Sequence, residues 1–198
     1  LIPWILSSRW LSPLARLKMI DNLRRTLTPA LTLLSLVLGW LILSPADEFA
    51  WTMFVIVMVF VPTFVPIFSG SGLRQEQTTL DSQVRTFRDD ISSAIKSTAA
   101  RLIFLAHQTY VMADAGIRTL YRVYVSKTNL LEWTTAAQLQ SALRPTLGGT
   151  YVLMMSSVVI AIVAMVIVQA TGVSEGYTSV AFGLMWMGAP AVAYLISR

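Results

Sequence analysis

Four apolar stretches separated by one long polar, basic stretch constrain this chain more than any other feature. They run Leu27–Pro45, Phe49–Phe68, Thr150–Thr171 and Tyr177–Ser197. At 1.5 Å of rise per residue, each is about long enough to cross a hydrocarbon core of ~30 Å. None contains Asp, Glu, Lys, Arg or His. Charged residues make up 13% of the chain, about half the share of a soluble domain, and the mean hydropathy of +0.65 agrees with four spans.

The placement of charge gives a topology. Arg9, Arg16, Lys18, Arg24 and Arg25 precede the first span. Arg74, Arg85, Arg88, Lys96, Arg101, Arg118, Arg122, Lys127 and Arg144 lie between the second and third, and Arg198 follows the fourth. The two remaining connections carry only Asp47, Glu48 and Glu175. All 15 basic residues therefore fall on one side. By the positive-inside rule, both termini and the central region are expected in the cytoplasm. The net charge of +5 is spread beside the spans rather than gathered into an arm, which argues against nucleic acid. The chain opens at Leu1 without a signal-peptide pattern and closes at Arg198 directly after a span, so a piece of a longer polypeptide is expected.

Within the spans, Trp40, Trp51, Tyr151, Tyr177 and Tyr194 lie near ends, as interfacial aromatics do. Pro29 is expected in a first helical turn, where a missing N–H costs little. Pro62 and Pro66, one turn apart, predict a kink or widening in the second span, with Thr63 or a neighbouring helix satisfying freed carbonyls. A packing kink is the simpler reading, and a bent helix lining a polymer or ion path is the functional one. Gly183, Gly188 and Ala189, with Ser156 and Ser157, offer small faces for helix contact. The lack of ionisable groups inside the spans argues against a proton pump or voltage sensor.

The central region reads as helix from Asp81 to about Ser126, with apolar residues such as Val84, Phe87, Ile91, Ile95 and Leu102 at helical spacing. Asp81 before Arg85 and Asp114 before Arg118 are supporting pairs, and Gly116 is the expected point of a break or bend. This helix is expected at the membrane interface or packed under the bundle. Asn129 as N-cap, with Glu132 three residues on, predicts a short helix from Leu130 to about Leu143, ended by Pro145 and Gly148-Gly149. The segment before the first span carries Trp4, Trp10, Leu14, Leu17 and Ile20 beside Arg16, Lys18, Arg24 and Arg25, and is also expected at the interface, facing lipid phosphates or a cytoplasmic domain. The expected fold is an all-α membrane protein, with four transmembrane helices in two hairpins plus amphipathic cytoplasmic interface helices. Its divisions are 1–26 (interfacial), 27–68 (first hairpin), 69–149 (cytoplasmic and interfacial helices) and 150–198 (second hairpin).

Candidate chemistry is sparse. The absence of Cys excludes disulfides and thiolate metal sites, and His107 alone cannot build a histidine-ligated one. No phosphate-cradling glycine motif is present, and one His supports no convincing nucleophile–base pair. Asp89-Asp90 would point roughly 100° apart on a helix, as a solvated face does. His107 reads as a buried, hydrogen-bonded residue before it reads as catalytic. Arg118 and Arg122 share a helix face and suit a diphosphate or lipid phosphate; a salt bridge or membrane-surface role is at least as good a reading. Tyr110, Tyr121 and Tyr124 suit sugar stacking, or interface anchoring. Glu132-Trp133 places a carboxylate beside an indole, which suits carbohydrate, although the cap already explains Glu132. Arg118, Arg122, Glu132 and Trp133 are thus the candidate carbohydrate or phosphate contacts, with no catalytic, cofactor-binding or metal residue expected in the chain.

The string Phe104-Leu105-Ala106-His107-Gln108-Thr109-Tyr110, then Asp114-Ala115, Arg118-Thr119-Leu120-Tyr121-Arg122 and Leu130-Leu131-Glu132-Trp133-Thr134-Thr135-Ala136-Ala137-Gln138, resembles the membrane region of bacterial cyclic β-1,2-glucan synthases. So do Ser12-Pro13-Leu14, Lys18-Met19-Ile20-Asp21-Asn22-Leu23-Arg24-Arg25 and the closing Pro190-Ala191-Val192-Ala193-Tyr194-Leu195-Ile196-Ser197. The resemblance covers nearly the whole chain, and its leucine–glutamate–tryptophan stretch is the most specific part. It implies an inverting glycosyltransferase domain using UDP-glucose before Leu1, and a phosphorylase-like domain after Arg198. It further implies a location in the bacterial inner membrane, a divalent metal (Mg or Mn) in the catalytic domain and a cyclic β-1,2-glucan product exported by a separate transporter. The catalytic signatures are not matched: no Asp-x-Asp pair occurs, and Arg9-Trp10 lacks the upstream glutamine, where Leu6 stands. The alternative is a non-enzymatic four-span scaffold or transporter subunit, favoured by the missing catalytic constellations and by Pro62 and Pro66.

Overall fold

A computed structural model describes residues 12–71, 80–128, 146–172 and 177–197. Among the described residues every regular element is helical. Helix α1 (Pro13–Ile42) starts where Ser12 Oγ accepts the Ala15 N–H at 3.2 Å and Pro13 supplies a preset φ at the first position. Nothing between Asn22 and Leu27 stops it. The segment read as interfacial, from Pro13 onward, and the first apolar stretch are therefore one continuous rod of about 45 Å. Pro29 consequently lies inside this helix rather than in a first turn, and its missing N–H deprives the Arg25 carbonyl of its usual donor.

Helix α2 (Pro45–Ser71) begins after a two-residue turn. Ser44 Oγ donates to Asp47 at 2.6 Å, and Asp47 and Glu48 sit at the positive end of the helix dipole. The helix runs unbroken through Pro62 and Pro66. Thr63 does not play the expected role, because its hydroxyl is buried without a hydrogen-bond partner.

Side chains lock the α1–α2 hairpin. Trp40 Nε1 donates to Thr52 Oγ1 at 3.0 Å, and that hydroxyl donates to the Glu48 carbonyl at 2.9 Å. Trp51 Nε1 donates to the Ser35 carbonyl at 3.0 Å, laying its indole across Gly39. Trp40 is not an interfacial aromatic: it is fully buried, whereas Trp51 remains 37% exposed.

The central segment forms α3 (Leu80–Ile103) and α4 (Leu105–Tyr121), then a π-turn (Arg122–Ser126) closed by Lys127 at φ 50°. The break falls at Phe104 (φ −91°, ψ 6°), not at Gly116, which lies inside α4 with open space around it. Tertiary packing places it there. Leu105 and Ala106 are buried in the common core, and Trp186 Nε1 donates to the Leu102 carbonyl beside the break at 3.0 Å. The central helices are thus part of the bundle rather than a layer beneath it. Helix α3 lies against α2, and α4 against α1.

Thr146 caps α5 (Leu147–Leu153) by accepting the Gly149 N–H at 3.1 Å. At Met154 the chain turns by 62° into α6 (Met155–Thr171), so the third apolar stretch is bent where the sequence suggested one span from Thr150. Gly172 ends α6 in the left-handed region, at φ 62°. Helix α7 (Tyr177–Ile196) carries Pro190 internally and pairs with α6. Helices α1, α2 and α7 are long and apolar enough to cross a membrane, and the bent α5–α6 pair makes a fourth if it is one span.

The core joins Leu36, Trp40, Val55, Leu105, Ala106, Ala161, Ala164, Val168 and Trp186. At its centre the rings of Trp40, Phe182 and Trp186 pack with centroids 5.5–6.0 Å apart. Two comparisons test this packing. A Cβ at Gly39 would overlap the Trp51 indole, which its hydrogen bond holds in place; one at Gly183 would overlap only the flexible end of Met165. Gly39→Ala is expected to cost about 1–3 kcal/mol and Gly183→Ala clearly less, read as thermal midpoints of the protein in detergent. Trp186→Phe keeps the ring stack and removes the donor to Leu102, so a loss of about 1 kcal/mol is expected in the same assay.

Candidate functional site

The described part of the candidate site lies at the end of α4. The first turn of α4 shares the core with Leu36 and Trp40, close to the end of α1. The extensive packing of α4 on α1 therefore requires it to run back toward the start of α1. The exposure pattern agrees: Met19, Leu23, Thr26 and Ala30 form a half-buried stripe along the first half of α1. Arg118, Arg122 and the π-turn are thereby carried toward the basic start of α1.

Arg118 Nε donates to Asp114 Oδ1 at 2.8 Å, and its side chain is 68% exposed. The bond to Asp114, reinforced by that carboxylate's charge, holds the guanidinium above its ordinary pKa. The salt-bridge reading of Arg118 is therefore realised, and its other N–H groups still point outward to serve an oxyanion. Arg122 opens the π-turn half-buried, with its carbonyl accepting the Lys127 N–H at 2.8 Å. Tyr121 and Tyr124 stand 57% and 68% exposed beside them. Glu132 and Trp133, with the predicted helix Leu130–Leu143, lie outside the described residues.

His107 Nδ1 lies 3.4 Å from Ser156 Oγ, joining α4 to the first turn of α6 just after the bend. The pair has the elements of a nucleophile and base, but both residues are spent on helix contact, and no orienting carboxylate is seen with them among the described residues. The Asp89-Asp90 pair splits as its spacing predicts. Asp89 is exposed, while Asp90 lines an open cleft of about 370 Å³ between α2 and α3, with Thr63, Ile67, Ser93, Ala94 and Ser97. Sequence reading missed this cleft. Its trace was Asp90, Ser93 and Ser97 at helical spacing, which has no meaning until α2 supplies the opposite wall. Among the described residues no three His, Cys, Asp or Glu gather to hold a metal. Among the described residues, this surface presents the Arg118 guanidinium and the exposed rings of Tyr121 and Tyr124.

No family model matches the chain. A curated relative, "Cyclic beta-(1,2)-glucan synthase NdvB" of Rhizobium meliloti (strain 1021), is 35% identical over 199 residues, which covers 100% of this chain. The chain spans only 7% of that relative's length. Identity is sustained over the whole of this chain, apolar stretches and central helices alike, and the chain is thus similar to one region of that relative.

Proposed function

We propose that this chain is the membrane-anchoring and interface portion of a bacterial glucosyltransferase that makes cyclic β-1,2-glucan from UDP-glucose. The observation that carries the reading is the match of the whole of this chain to one region of a glucan synthase, in a chain whose helices are long and apolar enough to span a membrane. Four spans in two hairpins cross the inner membrane, with both termini and the charged ends of α3 and α4 on the cytoplasmic side. The bundle holds a catalytic domain, with its divalent metal, against the bilayer and keeps the growing glucan near the end of α4. The phosphorylase-like domain belongs to the same polypeptide.

Two experiments test this. The chain has no Cys, so single cysteines report topology against the background of the remaining polypeptide. In spheroplasts, an impermeant maleimide should label Ser44→Cys and Gly172→Cys and spare Lys127→Cys; labelling of Lys127→Cys would reverse the orientation. Replacing Glu132 and Trp133 by Ala in the whole enzyme should lower glucan synthesis several-fold with unchanged protein level, as loss of sugar stacking and a hydrogen bond does. Unchanged synthesis removes them from any site.

A further inference from the structure

Antiparallel packing of α4 on α1 brings two basic segments, distant in sequence, to one end of the bundle. The first is Lys18, Arg24 and Arg25 of α1; the second is Arg118 of α4 and Lys127 after the π-turn. We propose that these residues form one ledge that binds the headgroups of anionic phospholipids. The proposal rests on the membrane-spanning reading above.

Four observations support it. First, the cations outnumber their local partners. Arg24 and Arg25 share the Asp21 carboxylate at 2.8 Å each, and Arg118 uses Asp114. Five cations against two carboxylates leave a surplus of three positive charges. Second, all five are exposed; the arginine side chains are 64%, 73% and 68% accessible. Each guanidinium bonded to a carboxylate keeps further N–H donors for a phosphate.

Third, the ledge lies at headgroup depth. Leu27, Leu31, Leu34, Leu38 and Ile42 form an exposed apolar stripe on α1, and Arg24 continues that same stripe one turn earlier. From Arg25 to Ser44 the chain rises about 28 Å, the thickness of a hydrocarbon core. The arginines therefore meet the lipid where its phosphates begin. Fourth, Tyr121 and Tyr124 are the exposed aromatics of the adjoining turn, and aromatic rings with a polar tip favour the headgroup layer. A soluble domain would satisfy the charge, but not the continuity of the ledge with a lipid-facing stripe.

The test uses the full-length polypeptide in detergent, titrated with phosphatidylglycerol or phosphatidylcholine, with the thermal midpoint as readout. Phosphatidylglycerol should raise the midpoint more than phosphatidylcholine, and added salt should shrink the difference. In the variant Lys18→Gln/Arg118→Gln/Lys127→Gln, the apparent affinity for phosphatidylglycerol should fall roughly tenfold or more. Glycerol phosphate, which lacks acyl chains, should give no shift. Equal responses to the two lipids, or a variant that responds as the parent does, overturn the proposal. So does a full response to glycerol phosphate, which assigns the ledge to a soluble phosphate. Weakened attachment of a soluble domain in limited proteolysis, with the lipid response intact, overturns it in favour of a protein partner. Alkaline carbonate extraction is read alongside. A polypeptide that leaves the membrane defeats the spanning reading itself, whereas one that stays while showing no lipid preference defeats the ledge alone.

Discussion

The bundle depends on a knot of three aromatic rings, Trp40, Phe182 and Trp186, and on where their two indole N–H groups go. In a medium without water a buried donor must find an acceptor inside the protein. Trp40 finds Thr52 and so closes the first hairpin; Trp186 finds the Leu102 carbonyl and so draws in the central segment. One cluster thereby fixes both α1 against α2 and α7 against the α3–α4 break. Trp186 is the tenth of the twenty residues of α7, so the break sits near mid-height of that helix. Apolar packing supplies cohesion here, but the directional bonds select this arrangement over others of equal burial.

The long apolar helices were legible because their signal is local and strong. A run without ionisable groups, long enough for a bilayer, admits few other structures, and α1, α2 and α7 follow from it. The continuity of α1 was also within reach, since nothing between Asn22 and Leu27 breaks a helix; a change of composition was read there as a change of structure. The break at Phe104 was not legible. No Gly or Pro marks it, and the residue that does look like a breaker, Gly116, sits inside an uninterrupted helix. The interruption belongs to the contact with Trp186, more than eighty residues away, and no window along the chain contains both partners. The bend at Met154 is similar: the apolar pattern runs straight through it.

The candidate site divides along the same line. The Asp114–Arg118 pair is a spacing of four on a helix and appears as that spacing predicts. His107 was read as a hydrogen-bonded residue, and Ser156 is its partner. What the chain could not reveal in one dimension was company: which charges share an end of the bundle, or which helix walls the cleft beside Asp90. Such groupings arise from packing between helices, and they become visible only once α4 is laid along α1 and α3 along α2.

The unbroken α1 has a mechanical consequence. Its foot carries the cations and its far end carries Leu36 and Trp40, and Pro29 between them removes one hydrogen bond without ending the helix. A continuous helix of this kind behaves as a lever. Tilting at the foot, whether by a load on the chain ahead of it or by a change in bilayer thickness, must appear as displacement of Trp40 against Phe182 and Trp186. The tryptophan knot would then register strain applied at the opposite end of the helix, which couples the state of the membrane surface to the seat of the α3–α4 break.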